Sequence, residues 1–210
     1  MLQIKNIDVT LASVQALRGF SLEVPPSTVV GLTGRNGAGK TTVMRTVMGH
    51  LKPTRGQIFY DDQDLQRRAR HQRAALGIGY MPEDRALVPQ LTVEENILVP
   101  IWVSKTLRAN DRLSFVYDVL PELRVMRTRR ALLLSGGQQK LVALARALAV
   151  GTRLLLLDEP FEGVAPALAD RLSDVIGSLR GSNLSVLISQ SELSHSARLL
   201  DREVVIDRGR

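Results

Sequence analysis

The chain contains no cysteine, which excludes disulfides and thiolate metal sites, though that absence alone does not fix the compartment. It has no apolar run near the ~18 to 20 residues needed to span a bilayer. Met1 to Val9 alternates polar and apolar residues and lacks the basic-then-apolar build of a signal peptide, so a cytoplasmic location is expected. There is also no internal repeat, low-complexity tract or long flexible linker. Aromatic residues are scarce, at 4%, and acidic residues are outnumbered, 21 against 28 Lys and Arg. The resulting net charge of +7 permits a nucleic-acid partner, an anionic membrane face or a basic surface without a partner. Basic residues gather at Arg67, Arg68, Arg70 and Arg73, and again at Arg124, Arg127, Arg129 and Arg130. With no aromatic residues interleaved for stacking, both clusters read as solvated faces.

What remains is ordinary for a folded α/β domain: 210 residues, 44% hydrophobic and 23% charged. Met1 to Val24 reads as short β segments closed by Pro25-Pro26. Thr28 to Leu32, Gln57 to Tyr60, Gly77 to Met81, Leu154 to Leu157, Ser185 to Ser189 and Glu203 to Ile206 read as further strands. Helices are expected over Thr42 to Met48, Leu65 to Leu76, Ala167 to Leu179 and Leu193 to Leu200. Thr92 and Glu95 form a T-x-x-E capping box that opens another helix. Leu113, Val116, Tyr117 and Leu120 recur at helical spacing before Pro121. The stretch from about Arg85 to Arg130 therefore reads as a helical insertion between β-rich parts. The strand–helix alternation predicts a mostly parallel sheet covered on both faces.

Chemistry enters at Gly34-Arg35-Asn36-Gly37-Ala38-Gly39-Lys40-Thr41-Thr42, which fits G-x-x-x-x-G-K-[ST] at every required position. An expected strand precedes it and an expected helix follows, the context a phosphate-binding loop needs. Backbone N–H groups and the helix N-terminus would cradle phosphate oxygens. Lys40 would reach the β- and γ-phosphates, and Thr41 would hold Mg²⁺. The bland alternative is a glycine turn that caps a helix, and it leaves the fixed lysine and threonine unexplained.

Leu154 to Leu157 ends in Asp158 and Glu159, two carboxylates at the carboxyl end of a buried strand, where ligands of such sheets bind. Asp158 would meet the Mg²⁺ shell directly or through water. Glu159 could position or deprotonate an attacking water. A third motif, Leu134-Ser135-Gly136-Gly137-Gln138-Gln139-Lys140, lies shortly upstream. Ser135 can N-cap the next helix, whose apolar face would be Leu141, Leu144, Ala145 and Leu148.

In this order the three motifs resemble those of ABC-type ATPase subunits, in which an LSGGQ signature precedes the Asp-Glu strand. The resemblance covers essentially the whole chain. It implies an α/β fold with a RecA-like P-loop NTPase core, an N-terminal antiparallel β-subdomain and an inserted helical subdomain. Residues 1–210 would form one nucleotide-binding domain, with its core at about 1–84 and 140–210 and the helical part at about 85–139. It also implies a head-to-tail dimer, of two copies or with a related ATPase subunit. Ser135, Gly136, Gly137 and Gln138 would there close on ATP held by the other protomer, with Ser135 and Gly137 at its γ-phosphate. Closer similarity is to subunits of branched-chain amino acid importers and their urea- or amide-importing relatives. It rests on Met81 to Arg85, Leu91 to Asn96, and Asp158 to Pro166.

Several positions depart from the broad family pattern. Glu83 stands where most members have a glutamine that senses the γ-phosphate; its carboxylate suits a hard cation, so it joins Thr41 and Asp158 as an expected metal contact. Gln190 stands where a histidine is usual, and a neutral donor predicts slow rather than absent hydrolysis. Leu11 takes the place of the aromatic ring that stacks on adenine, so modest ATP affinity is expected. Ala165 replaces an aspartate, as in the importer subgroup. The chain ends at Arg210, soon after the last expected strand, where relatives continue, and no motif is lost.

The resemblance thus implies an ATP hydrolase that powers solute import, peripheral on the inner face of the membrane. Its partners would be transmembrane permease subunits and, indirectly, a solute-binding protein, with no nucleic acid expected. Lys40, Glu159 and Gln190 are the expected catalytic groups. Two alternatives stay open: an ABC-type nucleotide switch acting on nucleic acid or the ribosome, and a regulatory module that only binds nucleotide.

Overall fold

A computed structural model describes residues 1–191 and 197–210. The chain opens with β1 (Leu2–Leu11) and β2 (Val14–Val24), an antiparallel pair. Leu2, Ile4, Ile7 and Val9 of β1 and Leu17, Phe20, Leu22 and Val24 of β2 are buried. The breaks in their alternation fall at shifts in register, where one extra residue moves the side-chain pattern to the other face. Next come β3 (Val29–Thr33), α1 (Lys40–Val47), β4 (Arg55–Tyr60) and β5 (Gln63–Asp64). β4 and β5 complete an antiparallel sheet ordered β2-β1-β4-β5.

A short helix α2 (Gln72–Ala75) leads to β6 (Ile78–Met81). Four helices follow: α3 (Val93–Trp102), α4 (Ala109–Val119), α5 (Glu122–Val125) and α6 (Gly136–Val150). The chain closes with β7 (Leu154–Asp158), α7 (Pro166–Ser178), β8 (Ser185–Gln190) and β9 (Arg202–Val205). The second sheet runs β6-β7-β8-β3-β9, and each neighbouring pair in it is parallel.

Every residue of β3, β7 and β8 is buried, as a sheet covered on both faces requires. Alternate residues feed two cores. Leu154, Leu156 and Leu187 join the apolar side chains of β1, β2 and α1, whereas Leu155, Leu157, Val186 and Ile188 join those of α3, α4, α6 and α7. Leu141, Leu144, Ala145 and Leu148 are buried as expected. The burial of α6 extends further: Val142, Ala143, Ala147 and Ala149 are also closed off, because the helix lies between the sheet and α3 and α4. Alanines allow that close approach on several sides. Arg112 of α4 binds the end of α6, donating from Nε to Ala149 O (2.8 Å) and from Nη2 to Leu148 O (2.7 Å).

The structure corrects three expectations. Leu65 to Leu76 is not one helix but a 3₁₀ turn at Leu65–Arg67, an extended Arg68 and then α2. Local side chains compete for the backbone: Asp64 accepts from Gln66 N–H and Gln72 accepts from Ala69 N–H. Arg73 is not on a solvated face. It is buried and donates to Val47 O at the end of α1 and to Leu65 O. The helix expected over Leu193 to Leu200 is a 3₁₀ turn at Ala197–Leu199 where it is described, and residues 192–196 lie outside the described residues.

Candidate nucleotide site

The carboxyl ends of β3, β7 and β8 meet at the glycine-rich loop. Gly39 caps α1 at φ 115°, and a Cβ there would sit 2.9 Å from Leu17 Cδ2, so conformation and space both call for glycine. The first turn of α1 carries no acidic side chain, and neither does that of α6, which leaves both helix N-termini open to an anion. The loop is tied to the sheet where Gly34 N–H donates to Gln190 O, at 3.3 Å.

Lys40 folds back over this loop. Its Nζ donates to Gly34 O (2.6 Å), Arg35 O (3.1 Å) and Ser191 Oγ (3.1 Å), and pairs with Glu159 Oε1 at 3.0 Å. Glu159 reaches it through a left-handed backbone, φ 48°, which a non-glycine residue holds only where its surroundings impose it. Here Ser189 imposes it, accepting the Glu159 N–H through both its carbonyl (3.2 Å) and its hydroxyl (3.1 Å).

Asp158, next to it, is fully buried. Oδ1 accepts from Ser189 Oγ (2.5 Å) and Thr41 Oγ1 (3.2 Å), and Oδ2 from the Tyr80 hydroxyl (3.4 Å). Burial pushes the Asp158 carboxyl above its ordinary value; the Ser189 and Thr41 hydrogen bonds oppose that rise, and the Glu83 and Glu159 charges add to it. Burial likewise raises the Tyr80 hydroxyl, and the Asp158 charge raises it further. Glu83 Oε2 lies 3.4 Å from the same Thr41 hydroxyl, an alternative acceptor for its one proton. The expected metal contacts Thr41, Glu83 and Asp158 therefore meet around one hydroxyl. A hydroxyl and two carboxylates, all hard oxygens, fit Mg²⁺, which takes one or two carboxylates and completes its shell with phosphate oxygens and water. Among the described residues no group of three or more His, Cys, Asp or Glu forms a metal cage.

A cavity of about 330 Å³ opens over this constellation, lined by Leu11, Asn36, Lys40, Thr41, Glu83 and Glu159 among others. Gly37, Gly39 and Thr42 also line it. Leu11 ends β1 beside the tight turn to β2 and is 39% exposed, placing an aliphatic side chain at the cavity mouth. Gln190 is brought to the loop by its backbone; its buried side chain does not line the cavity.

Of the signature residues Ser135, Gly136, Gly137 and Gln138, none lines this cavity either. Ser135 and Gln138 form a reciprocal capping box at the start of α6, and Ser135 and Gly136 face solvent. At Gly137 a Cβ would come within 2.7 Å of Leu168 Cδ2, so α7 packs directly on the signature turn.

Ser189, Ser191 and Tyr80 escaped the sequence reading although they touch the carboxylates. The available signal was strand periodicity: Ser189 and Ser191 alternate around Gln190 and so share one side of the chain. A second, larger cavity of about 760 Å³ adjoins the first, sharing Thr41 and Glu83 and extending to Asp158, Arg45, Arg146 and Val99 and Pro100 of α3.

Comparison with known proteins agrees with this geometry. Residues 17–162 match the family model for the ABC transporter. The lipopolysaccharide export system ATP-binding protein LptB of Haemophilus influenzae is 33% identical, across 100% of this chain and 88% of its own length. The high-affinity branched-chain amino acid transport ATP-binding protein BraG of Pseudomonas aeruginosa is 31% identical, across 100% and 90%. The crystal structure of a nucleotide-free ATP-binding cassette from an ABC transporter superposes with a TM-score of 0.84 at 26% identity, covering 100% of this chain and 88% of that one. A dimeric post-hydrolysis cassette bound to ADP and Pi shares the fold, with a TM-score of 0.89 at 23% identity, covering 100% and 95%. The expected similarity to branched-chain amino acid importers is corrected in part: a relative named for lipopolysaccharide export and one named for branched-chain amino acid transport stand at similar identity.

Proposed function

The chain belongs to the ABC transporter family as an ATP-binding subunit, and from that premise we propose that it drives transport through separate membrane-spanning partners. It is an ABC-type ATPase with a RecA-like P-loop core. Among the described residues no helix is long and apolar enough to cross a membrane, so a transport role calls for such partners and for a position on the inner membrane face. The observation that carries the reading is the convergence of Lys40, Thr41 and Glu159 on one glycine-lined cavity, with Asp158 hydrogen-bonded behind Thr41.

In this reading the α1 N-terminus and the loop from Gly34 to Thr42 hold the triphosphate of ATP, and Lys40 exchanges Glu159 for phosphate oxygens. Thr41, Asp158 and Glu83 would hold Mg²⁺, which would supply charge neutralisation for the triphosphate. Glu159 orients the water for in-line attack. Ser135 and Gly137 of a second copy or a related subunit complete the site, since in the single chain Ser135 faces solvent and neither residue lines the cavity. The helical part at about 85–139 carries them. The larger cavity beside Glu83, walled by α3, is the place for a permease segment to sense the nucleotide.

The solute reading is a branched-chain amino acid or related small polar solute, imported with a solute-binding protein; it rests on the Met81–Arg85, Leu91–Asn96 and Asp158–Pro166 stretches. The similarity to LptB supports a second reading, export of a lipopolysaccharide-type lipid. Steady-state hydrolysis across a range of protein concentrations, with Glu159→Gln beside the native chain, tests the ATPase. Specific activity that rises with concentration and vanishes in the variant supports composite sites built around Glu159. Uptake of radiolabelled leucine by proteoliposomes holding the chain with its co-purified membrane subunits separates the solute readings.

A further inference from the structure

Ser191, the residue just past β8, touches three parts of the site at once. Its N–H donates to Glu159 Oε2 at 3.2 Å, and its hydroxyl lies 2.8 Å from Glu159 Oε1. The same hydroxyl lies 2.7 Å from Asn36 Oδ1 in the glycine-rich loop and accepts from Lys40 Nζ at 3.1 Å. We propose that Ser191 is a positioning residue for hydrolysis, gripping both carboxylate oxygens of Glu159 so that the side chain keeps its orientation once Lys40 leaves it for the phosphates of ATP.

The argument follows what each partner of Glu159 must do when nucleotide arrives. Its backbone is fixed by Ser189, but that bond leaves the side-chain torsions free. The carboxylate is held by Lys40 and by Ser191. A triphosphate carries more negative charge than a carboxylate and draws the ammonium away. The two Ser191 donors, one to each oxygen, then remain. A hydroxyl has a single proton, which it can offer to Glu159 or to Asn36 at any moment. When Lys40 departs, the carboxylate loses its counter-charge and becomes the stronger of the two acceptors, which favours the hydroxyl turning toward Glu159. Strand geometry makes the arrangement possible: Ser189 serves Asp158 while Ser191, two residues on, serves Glu159.

This inference rests on the reading that Glu159 orients the attacking water. The test compares the native chain with Ser191→Ala, Ser191→Thr and Glu159→Gln. It has two readouts: the equilibrium dissociation constant for ATP with Mg²⁺, and single-turnover conversion of bound radiolabelled ATP to ADP with protein in excess. Ser191→Ala removes the hydroxyl and keeps the N–H, so the expected loss is one charge-assisted hydrogen bond, about tenfold in conversion rate. ATP affinity should stay within about threefold of native, which also shows that the site is folded, and Ser191→Thr should restore the rate to within about threefold. A native rate in Ser191→Ala overturns the proposal. So does a rate that falls in step with affinity, or a threonine variant no better than alanine. Failure of the underlying reading looks different: Glu159→Gln would then convert bound ATP as fast as the native chain.

Discussion

Lys40 Nζ stands 3.0 Å from Glu159 Oε1, with both side chains nearly closed to solvent at 5% and 9% exposure. The cation that ATP needs is thus paired with the carboxylate assigned to catalysis. An incoming γ-phosphate must compete with Glu159 for Lys40, so part of the gross phosphate binding energy is offset by breaking this pair.

Glu159→Gln should therefore separate affinity from turnover. Neutralising the carboxylate removes the competitor while keeping the side chain's size and one acceptor. ATP should bind about threefold to tenfold more tightly, while turnover falls by two decades or more. ATP should also raise the thermal midpoint of the variant more than that of the native chain, because binding is linked to stability. Weaker ATP binding in the variant would show that Lys40 and Glu159 do not compete.

Leu11 at the cavity mouth sets a second expectation. An aliphatic side chain there offers dispersion but no ring to stack on the base. Leu11→Tyr should tighten ATP binding by about 1 kcal/mol, the low end of base–aromatic stacking, because the site is partly exposed. Inorganic triphosphate, which has no base, should bind the two proteins equally in the same titration. Equal gains for both ligands would place the effect on the phosphates instead.

The phosphate loop, the Asp158–Glu159 strand end and the apolar faces of α4 and α6 were legible because each is encoded locally. A glycine spacing, a run of leucines and a helical repeat declare themselves within ten or fifteen residues. Ser191 was not legible, because its partners lie 32, 151 and 155 positions away. Arg73 failed for the same reason: read as one of a solvated cluster, it is held by a carbonyl 26 residues upstream. The signature turn was legible as a motif and a helix cap, but its ligand comes from outside the single chain in the composite-site reading.

Asn96 shows how a buried polar side chain can support that turn. It is 0% exposed. Its amide nitrogen donates toward Val88 O, Leu91 O and Thr92 O, at 3.0, 3.2 and 2.9 Å, and its oxygen accepts from Val88 N–H at 2.8 Å. The segment so held accepts Ala131 N–H at Leu91 O and Leu132 N–H at Pro89 O, just before Ser135. Asn96→Leu takes the partner from Val88 N–H, while Val88 O, Leu91 O and Thr92 O keep backbone donors from Leu91, Ala131 and residue 96, and should cost about 1–3 kcal/mol in a urea titration. A midpoint within error of native would mean that water replaces the amide.

Arg171 and Glu122 give the pH-dependent case. Arg171 of α7 places Nε 3.0 Å from Glu122 Oε1 and Nη2 3.2 Å from Oε2, and also donates to Val119 O at 2.9 Å, pinning α4 and α5 to α7. Partial burial alone would raise the Glu122 carboxyl, but the Arg171 hydrogen bonds, the Glu122 backbone N–H and the Arg171 charge together outweigh it and hold the group below its ordinary 4.5. Between the folded value and 4.5 the unfolded chain binds the proton more readily, so stability rises with pH across that window. The contribution is complete above 4.5 and is lost as pH falls through the folded value. Arg171→Gln should thus cost about 0.5–1 kcal/mol at neutral pH, a modest figure because the pair is 37% and 31% exposed and screened by salt. The acid limb of its stability curve should be shallower than the native one. Glu122→Gln should cost a similar amount, and the double variant little more than either alone, since both remove one interaction. Additive costs with an unchanged acid limb would instead mean that the arginine acts through packing and the Val119 carbonyl, without its charge.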